Sequence, residues 1–323
     1  MVKRTQNYVA ESRFTLPMVV VYAIGVWIAS GLLIPAIPIT TAEVMKGAWV
    51  QFACFLISAY LMVELNNSNA LIRIYSRTVS CSFIVLLCAG CFLFGSLGGS
   101  IVQLCVVASY IAGFHSYQNK QAVGWIFYAF LCVGLASTVF IQILYYVPLL
   151  WAMMFFRLTS LSWRTFFASI IGLLLPYWFA VPLLVYQGGT GMLLRHFAAI
   201  ADFQLPFDYQ QVTVNELLLF VFVVALGITG TIHYWRQKSA DGIRIRLLFG
   251  CFIQAWMLTT VFIVLQPQHY DMLIRILIIN VSPLIAHFLS LTYTRYTNIA
   301  FYVICTVALL LTILNLWMPS LTF

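Results

Sequence analysis

The chain has 323 residues, of which 63% are hydrophobic and 7% charged, with a net charge of +8. Soluble domains carry roughly a quarter charged residues, so a water-soluble globular fold is excluded. Apolar runs near the ~18–20 residues that cross a bilayer as helix recur throughout, and the alternating segments of a transmembrane barrel are missing.

These runs predict an all-α, polytopic transmembrane helical bundle forming one integral membrane domain over 1–323. Lys3, Arg4 and Arg13 precede the first run, 17–37. That run is longer than the apolar core of a signal peptide and has no small-residue cleavage site, so it reads as a retained span. Further spans are expected over 47–64, 79–95, 100–115, 122–141, 143–156, 165–185, 214–235, 247–265, 272–291 and 298–318, about eleven in all.

Basic residues concentrate on the cytoplasmic side of short loops. With the N-terminus cytoplasmic and the C-terminus external, thirteen of the sixteen Lys and Arg residues fall inside, Lys46 and Arg195 fall outside, and Arg275 falls within a span. The positive charge is therefore a membrane-orientation signal, and no nucleic-acid partner is implied.

In chain order, the first polar connector is "ELNNSNALIRIYSRT" (64–78). Its Asn66, Asn67, Ser68 and Asn69 are turn and N-cap residues, with Asn69 a candidate helix start and Glu64 a candidate partner for Arg73 or Arg77. The third run holds "CAGC" (88–91) without a second pair. Its thiols read as small buried residues, so neither a metal site nor a cofactor is expected. The seventh run contains Gly172, Pro176 and Pro182, which predict a kinked or broken helix.

The one long external loop, 187–213, opens with Gly188, Gly189 and Gly191. "MLLRHFAAIADF" within it fits a short interfacial helix, and the loop is either a return connector or a lid over an external cavity. "WRQKSADGIRIR" (235–246) carries basic residues suited to anionic headgroups. His115 and His233 read as interfacial.

The tenth run, within "LQPQHYDMLIRILIINVSPLIAHF" (265–288), bears an arginine and a histidine. Asp271 and Arg275 lie four residues apart on one helical face. Either Arg275 snorkels and pairs with Asp271, or it binds an anion in an outward-facing pocket. Asn280, Pro283 and His287 share a second stripe, and Pro283 frees a backbone carbonyl. Arg275, Asp271, Arg195, His196, Asp202 and His269 form the candidate anion or substrate set. Asn280 and His287 form a candidate intramembrane polar path. Phosphate-loop, dinucleotide and hydrolase motifs are missing.

"LSWRTFFASIIGLLLPYW" (161–178), "QPQHYDMLIRILIINVSPLIAHFLSLTYTRYTN" (266–298) and "ELNNSNALIRIYSR" resemble an uncharacterised family of polytopic inner-membrane proteins of Bacteroidetes-type bacteria. In general look the chain is also similar to polymerases of lipid-linked polysaccharide repeats, with a shorter external loop. The resemblance implies a bacterial inner-membrane location. Three functions stay open. The first is handling of a lipid-linked saccharide or polyprenyl phosphate at an external cavity, with His196 or Asp202 as acid–base groups. The others are a transporter or flippase, and a non-catalytic subunit of an envelope assembly. Membrane lipids are the expected partners.

Overall fold

The computed structural model describes residues 4–33, 42–186, 188–203, 209 and 212–317, with side chains from 47 onward in the second long helix. Every regular element among them is helical. The order is α1 (Thr5–Glu11), α2 (Thr15–Leu33), α3 (Ala42–Asn69), α4 (Thr78–Ala89), α5 (Leu97–His115), α6 (Val123–Val139) and α7 (Val147–Phe156). It continues with α8 (Trp163–Tyr186), α9 (Thr190–Ala198), α10 (Val214–Gln237), α11 (Ile243–Leu265), α12 (Tyr270–Leu291) and α13 (Arg295–Trp317).

Eight helices are long and apolar enough to cross a membrane, and three shorter apolar stretches lie at Thr78–Ala89, Val123–Val139 and Ile141–Phe156. The chain is thus a multi-pass helical membrane protein. Each of the eleven expected runs overlies one of these eleven stretches.

α12 is the axis of the bundle. Its span window is 94% buried, against 17% for α2 and 22% for both α8 and α13. α10, α11, α4, α5 and α1 all pack on it. Within hydrocarbon, lipid tails are as apolar as leucine, so close helix pairing needs small residues or polar matches. α10 uses Gly227 and Gly230: a Cβ at Gly230 would lie 2.7 Å from the Leu284 carbonyl carbon. α6 and α8 use a reciprocal pair, since a Cβ at Gly134 would meet the Leu173 carbonyl and one at Gly172 the Phe127 carbonyl.

Several expectations are revised. α8 runs unbroken through Pro176 and Pro182. Pro176 is buried beside Gly134 of α6, whereas Trp178, Phe179 and Leu183 are exposed. The helix is a peripheral packing element, and it lines none of the described cavities. Asn69 closes α3 instead of starting a helix. Asn66 builds the following turn, its Oδ1 accepting from the Ile72 amide (3.2 Å) and its Nδ2 donating to the Ser76 carbonyl (3.0 Å). Arg73 reaches the Ala240 carbonyl (3.0 Å) and Asp241 (3.8 Å) rather than Glu64.

The residues before the first run carry more than charge, since Thr5–Glu11 form α1. Its Gln6 donates to the Leu289 carbonyl (2.5 Å) and Thr292 Oγ1 (2.8 Å), and Asn7 donates to the Thr292 carbonyl (2.9 Å). α1 therefore covers the α12–α13 turn. At this end of the bundle lie Arg73, Arg157, Lys238, Arg244 and Arg246 (the basic end). The opposite end carries the segment 188–203 (the loop end).

The glycine contacts give a direct test. Gly230→Val should destabilise the protein by about 1–3 kcal/mol, the usual cost of overpacking, read as a lower melting temperature in detergent. Gly25, with open space where its Cβ would be, should accept alanine without loss.

Candidate functional site

The polar side chains of α12 define a column through the bundle, with partners on α5, the α4–α5 connection, the α10–α11 loop, α4 and α12 itself. Arg275, 1% exposed, donates through Nη2 to the Leu93 carbonyl and to Asp271 Oδ1 (3.3 Å), and through Nη1 to Ser100 Oγ (3.4 Å). Its guanidinium lies flat against Gly99, where any side chain would overlap it. The glycine at the start of α5 is what admits the arginine. Asp271 holds the other end of the pair with its side chain 41% exposed.

One turn further in, Asn280 Oδ1 accepts from the Tyr110 hydroxyl (2.6 Å), and its Nδ2 donates to the Ile276 carbonyl (2.7 Å). Ser282 donates to the Ile278 carbonyl (2.6 Å). At the basic end, Ser290 joins a hydroxyl cluster with Thr78 (2.6 Å) and Ser76 (3.3 Å). Asn280 and His287 thus engage different neighbours.

His287 is fully buried and donates through Nε2 to Asp241 Oδ2 (3.0 Å). The carboxylate fixes the tautomer that places the proton on Nε2. The His233 ring lies 5.3 Å away, centre to centre, and Phe249 lies 5.0 Å away. Neither His287 Nδ1 nor His233 Nε2 has a partner among the described residues. Asp241 is the group that sequence reasoning missed, and His233, expected at the interface, lies beside His287. The available signal was the lone acid in "RQKSADGIRIR", a loop otherwise basic.

At the loop end, the candidate anion set divides into separate groups. Arg195 is exposed and donates to the Gly191 carbonyl of its own helix (3.2 Å). His196 Nε2 lies 3.5 Å from the Tyr177 hydroxyl, which donates to Ser137 Oγ (2.8 Å). The Asp202 carbonyl accepts from Gln268 Nε2 (3.1 Å), which lies 3.2 Å from His269 Nε2. The His269 ring meets the edge of Phe140. Gln142 donates to the Ala199 carbonyl (3.1 Å) and Tyr145 to that of Ile200. The segment 188–203 is therefore strapped across the ends of α6, α7 and α11. Residues 204–208, 210 and 211 of the expected loop lie outside the described residues.

Beside this strap an apolar pocket of about 330 Å³ opens between the ends of α10, α11 and α12, lined by Tyr209, Leu217, Phe220, Ile263 and Tyr270 among others. Tyr209 donates to the Val264 carbonyl (2.9 Å) and Tyr270 to that of Glu216 (2.6 Å), so both rings are held in place. Among the described residues no group of three or more His, Cys, Asp or Glu side chains is disposed to hold a metal ion. No protein-family model, curated protein or solved structure matches the chain.

The His287–Asp241 bond is testable as a coupled pair. His287→Leu or Asp241→Leu alone leaves a buried partner unsatisfied and should cost about 1–3 kcal/mol. The double variant should cost less than the sum, a positive coupling in thermal unfolding of the purified protein. Additive losses would show that the two groups do not interact.

Proposed function

We propose that the chain is an eleven-span inner-membrane protein, N-terminus cytoplasmic and C-terminus external, that holds a lipid-linked anionic envelope precursor at its loop end. The observation that carries this reading is the 330 Å³ apolar pocket, whose wall residue Pro267 leads directly into Gln268 and His269, with Gln268 bonded to the Asp202 carbonyl. A ligand with a long apolar tail and a charged head matches both parts. The tail lies against Leu217, Phe220 and Ile263, and the phosphate or sugar faces the strap.

The orientation is supported by the side preference of the basic residues, and the inner membrane by the likeness of 161–178 and 266–298 to the Bacteroidetes-type family. Arg195, exposed on α9 and bonded only through Nε to its own helix, is the cation offered to a phosphate. Arg275 is engaged by protein acceptors, so its part is to fasten α12 to α5 behind the pocket. His269, two residues past Pro267 of the pocket wall, is the acid–base group that would assist a reaction there.

A second reading, transport, draws on the polar column of α12. It requires the Tyr110–Asn280 and Asp241–His287 bonds to open in turn. Cysteines placed at 280 and 287 should then change in labelling rate when substrate is added, and unchanged rates would remove the reading.

The lipid-carrier reading is tested with a polyprenyl phosphate bound to the purified protein. Leu217→Trp, which fills the pocket, should weaken binding about tenfold, equivalent to ~1.4 kcal/mol. Arg195→Ala should weaken the phosphate but leave the uncharged polyprenol unaffected. Equal retention by the wild type and Leu217→Trp would overturn the proposal.

A further inference from the structure

At the basic end, opposite the pocket just described, a second cavity of about 670 Å³ lies between α7, α10 and α11. We propose that it is a binding site for the phosphate headgroup of an anionic membrane lipid. Arg157, Lys238 and Arg246 all line it, and no carboxylate does. None of the three is ion-paired among the described residues. The nearby acid, Asp241, is already engaged by His287 and Arg73.

An orientation signal requires only that basic residues sit in loops on one side. It does not require them to converge. Here Arg157, from the end of α7, meets two cations some eighty to ninety positions later in the chain. Its guanidinium packs on Gly250 of α11, where a Cβ would lie 2.8 Å from Cζ. The same wall carries Gln254, whose side-chain Oε1 is buried without a partner. That amide accepts from a headgroup hydroxyl, or after a half turn donates to a phosphate oxygen.

The remainder of the lining suits the rest of a lipid. Leu247, Ile253 and Met257 provide an apolar wall for the upper acyl chain, and Trp235 and Tyr234 sit where aromatic residues collect at a membrane interface. Tyr234 is held there by its bond to the Arg246 carbonyl (3.0 Å). The volume falls within the ~300–1,000 Å³ of ordinary ligand pockets. A free phosphate would use the cations and leave the apolar wall bare.

The test uses the full-length protein in nanodiscs. Brominated phosphatidylglycerol should quench the tryptophan emission that is lost in Trp235→Phe, and brominated phosphatidylcholine should not. Each cation near an anionic lipid contributes roughly fivefold in affinity. Arg157→Gln with Arg246→Gln should therefore weaken phosphatidylglycerol about 25-fold in a titration. Arg246→Gln alone, a change at an exposed side chain, should give about fivefold, and so serves if the double variant does not fold. Arg244→Gln, in the same first turn of α11 but outside the cavity and bonded to Asn69 (2.8 Å), should leave binding unchanged. Equal quenching by the two lipids, equal loss in Arg244→Gln, or displacement of the lipid by millimolar inorganic phosphate would each overturn the assignment. Because the site is remote from Leu217 and Arg195, its failure would leave the loop-end reading intact.

Discussion

The lateral satisfaction of α12 is the constraint on which the architecture depends. Its span window is 94% buried, and it carries an arginine, an asparagine, serines, a proline and a histidine inside that burial. Unpaired, each polar group would cost free energy in a medium without water. The neighbours are therefore fixed by what they bring: Ser100 and the Leu93 carbonyl for Arg275, Tyr110 for Asn280, Asp241 for His287, and Thr78 for Ser290. Apolar burial cannot set this register, because a leucine gains little by exchanging a lipid tail for another helix. Polar matches and close glycine contacts make the choice between alternatives that hydrophobicity leaves nearly equal.

The same constraint explains how the two ends are closed. At the loop end, Arg275 and Asp271 tie α12 to the α4–α5 connection, and the strap 188–203 spans the ends of α6, α7 and α11. At the basic end, Asp241 joins α12 to the loop between α10 and α11, and Arg73 brings the α3–α4 turn to that loop. α1 then covers the α12–α13 turn through Gln6 and Asn7. A buried carboxylate shared by a histidine and an arginine is costly unless all three are held together. Three separate connections therefore order as one unit.

Much of the helix layout was legible in the sequence because the bilayer imposes a length on each span. The eleven apolar runs overlie the eleven apolar helical stretches, and the Asp271–Arg275 pair follows from i,i+4 spacing. What was not legible is pairing across distance. Nothing local in "SADGIRIR" says that Asp241 meets a histidine 46 residues later, or that Gly99 exists to admit Arg275. α8 misled for a related reason. Two prolines in one run suggest a kinked or broken helix, but Pro176 is accommodated by packing on Gly134 and the helix is not broken. Asn66 and Asn69 were read as turn residues, which they are, but their turn ends α3 and starts no helix.

A tightly matched centre also limits where a ligand can meet the protein. The space beside Tyr110, between α5, α6, α7 and α11, amounts to about 30 Å³, room for a water or two. The two larger cavities, about 330 and 670 Å³, lie at opposite ends of α10 and α11. Their linings differ in the way that chemistry requires. The loop-end pocket is almost wholly apolar beside a polar rim, whereas the basic-end cavity mixes three cations with an apolar wall. Their positions, where helix ends meet the two interfaces, fit the two lipid sites proposed above, and a third cavity of about 130 Å³ lies along the side of the bundle between α2, α4, α12 and α13. In the proposed arrangement α10 and α11, which line both cavities, set the separation of the two interfacial sites.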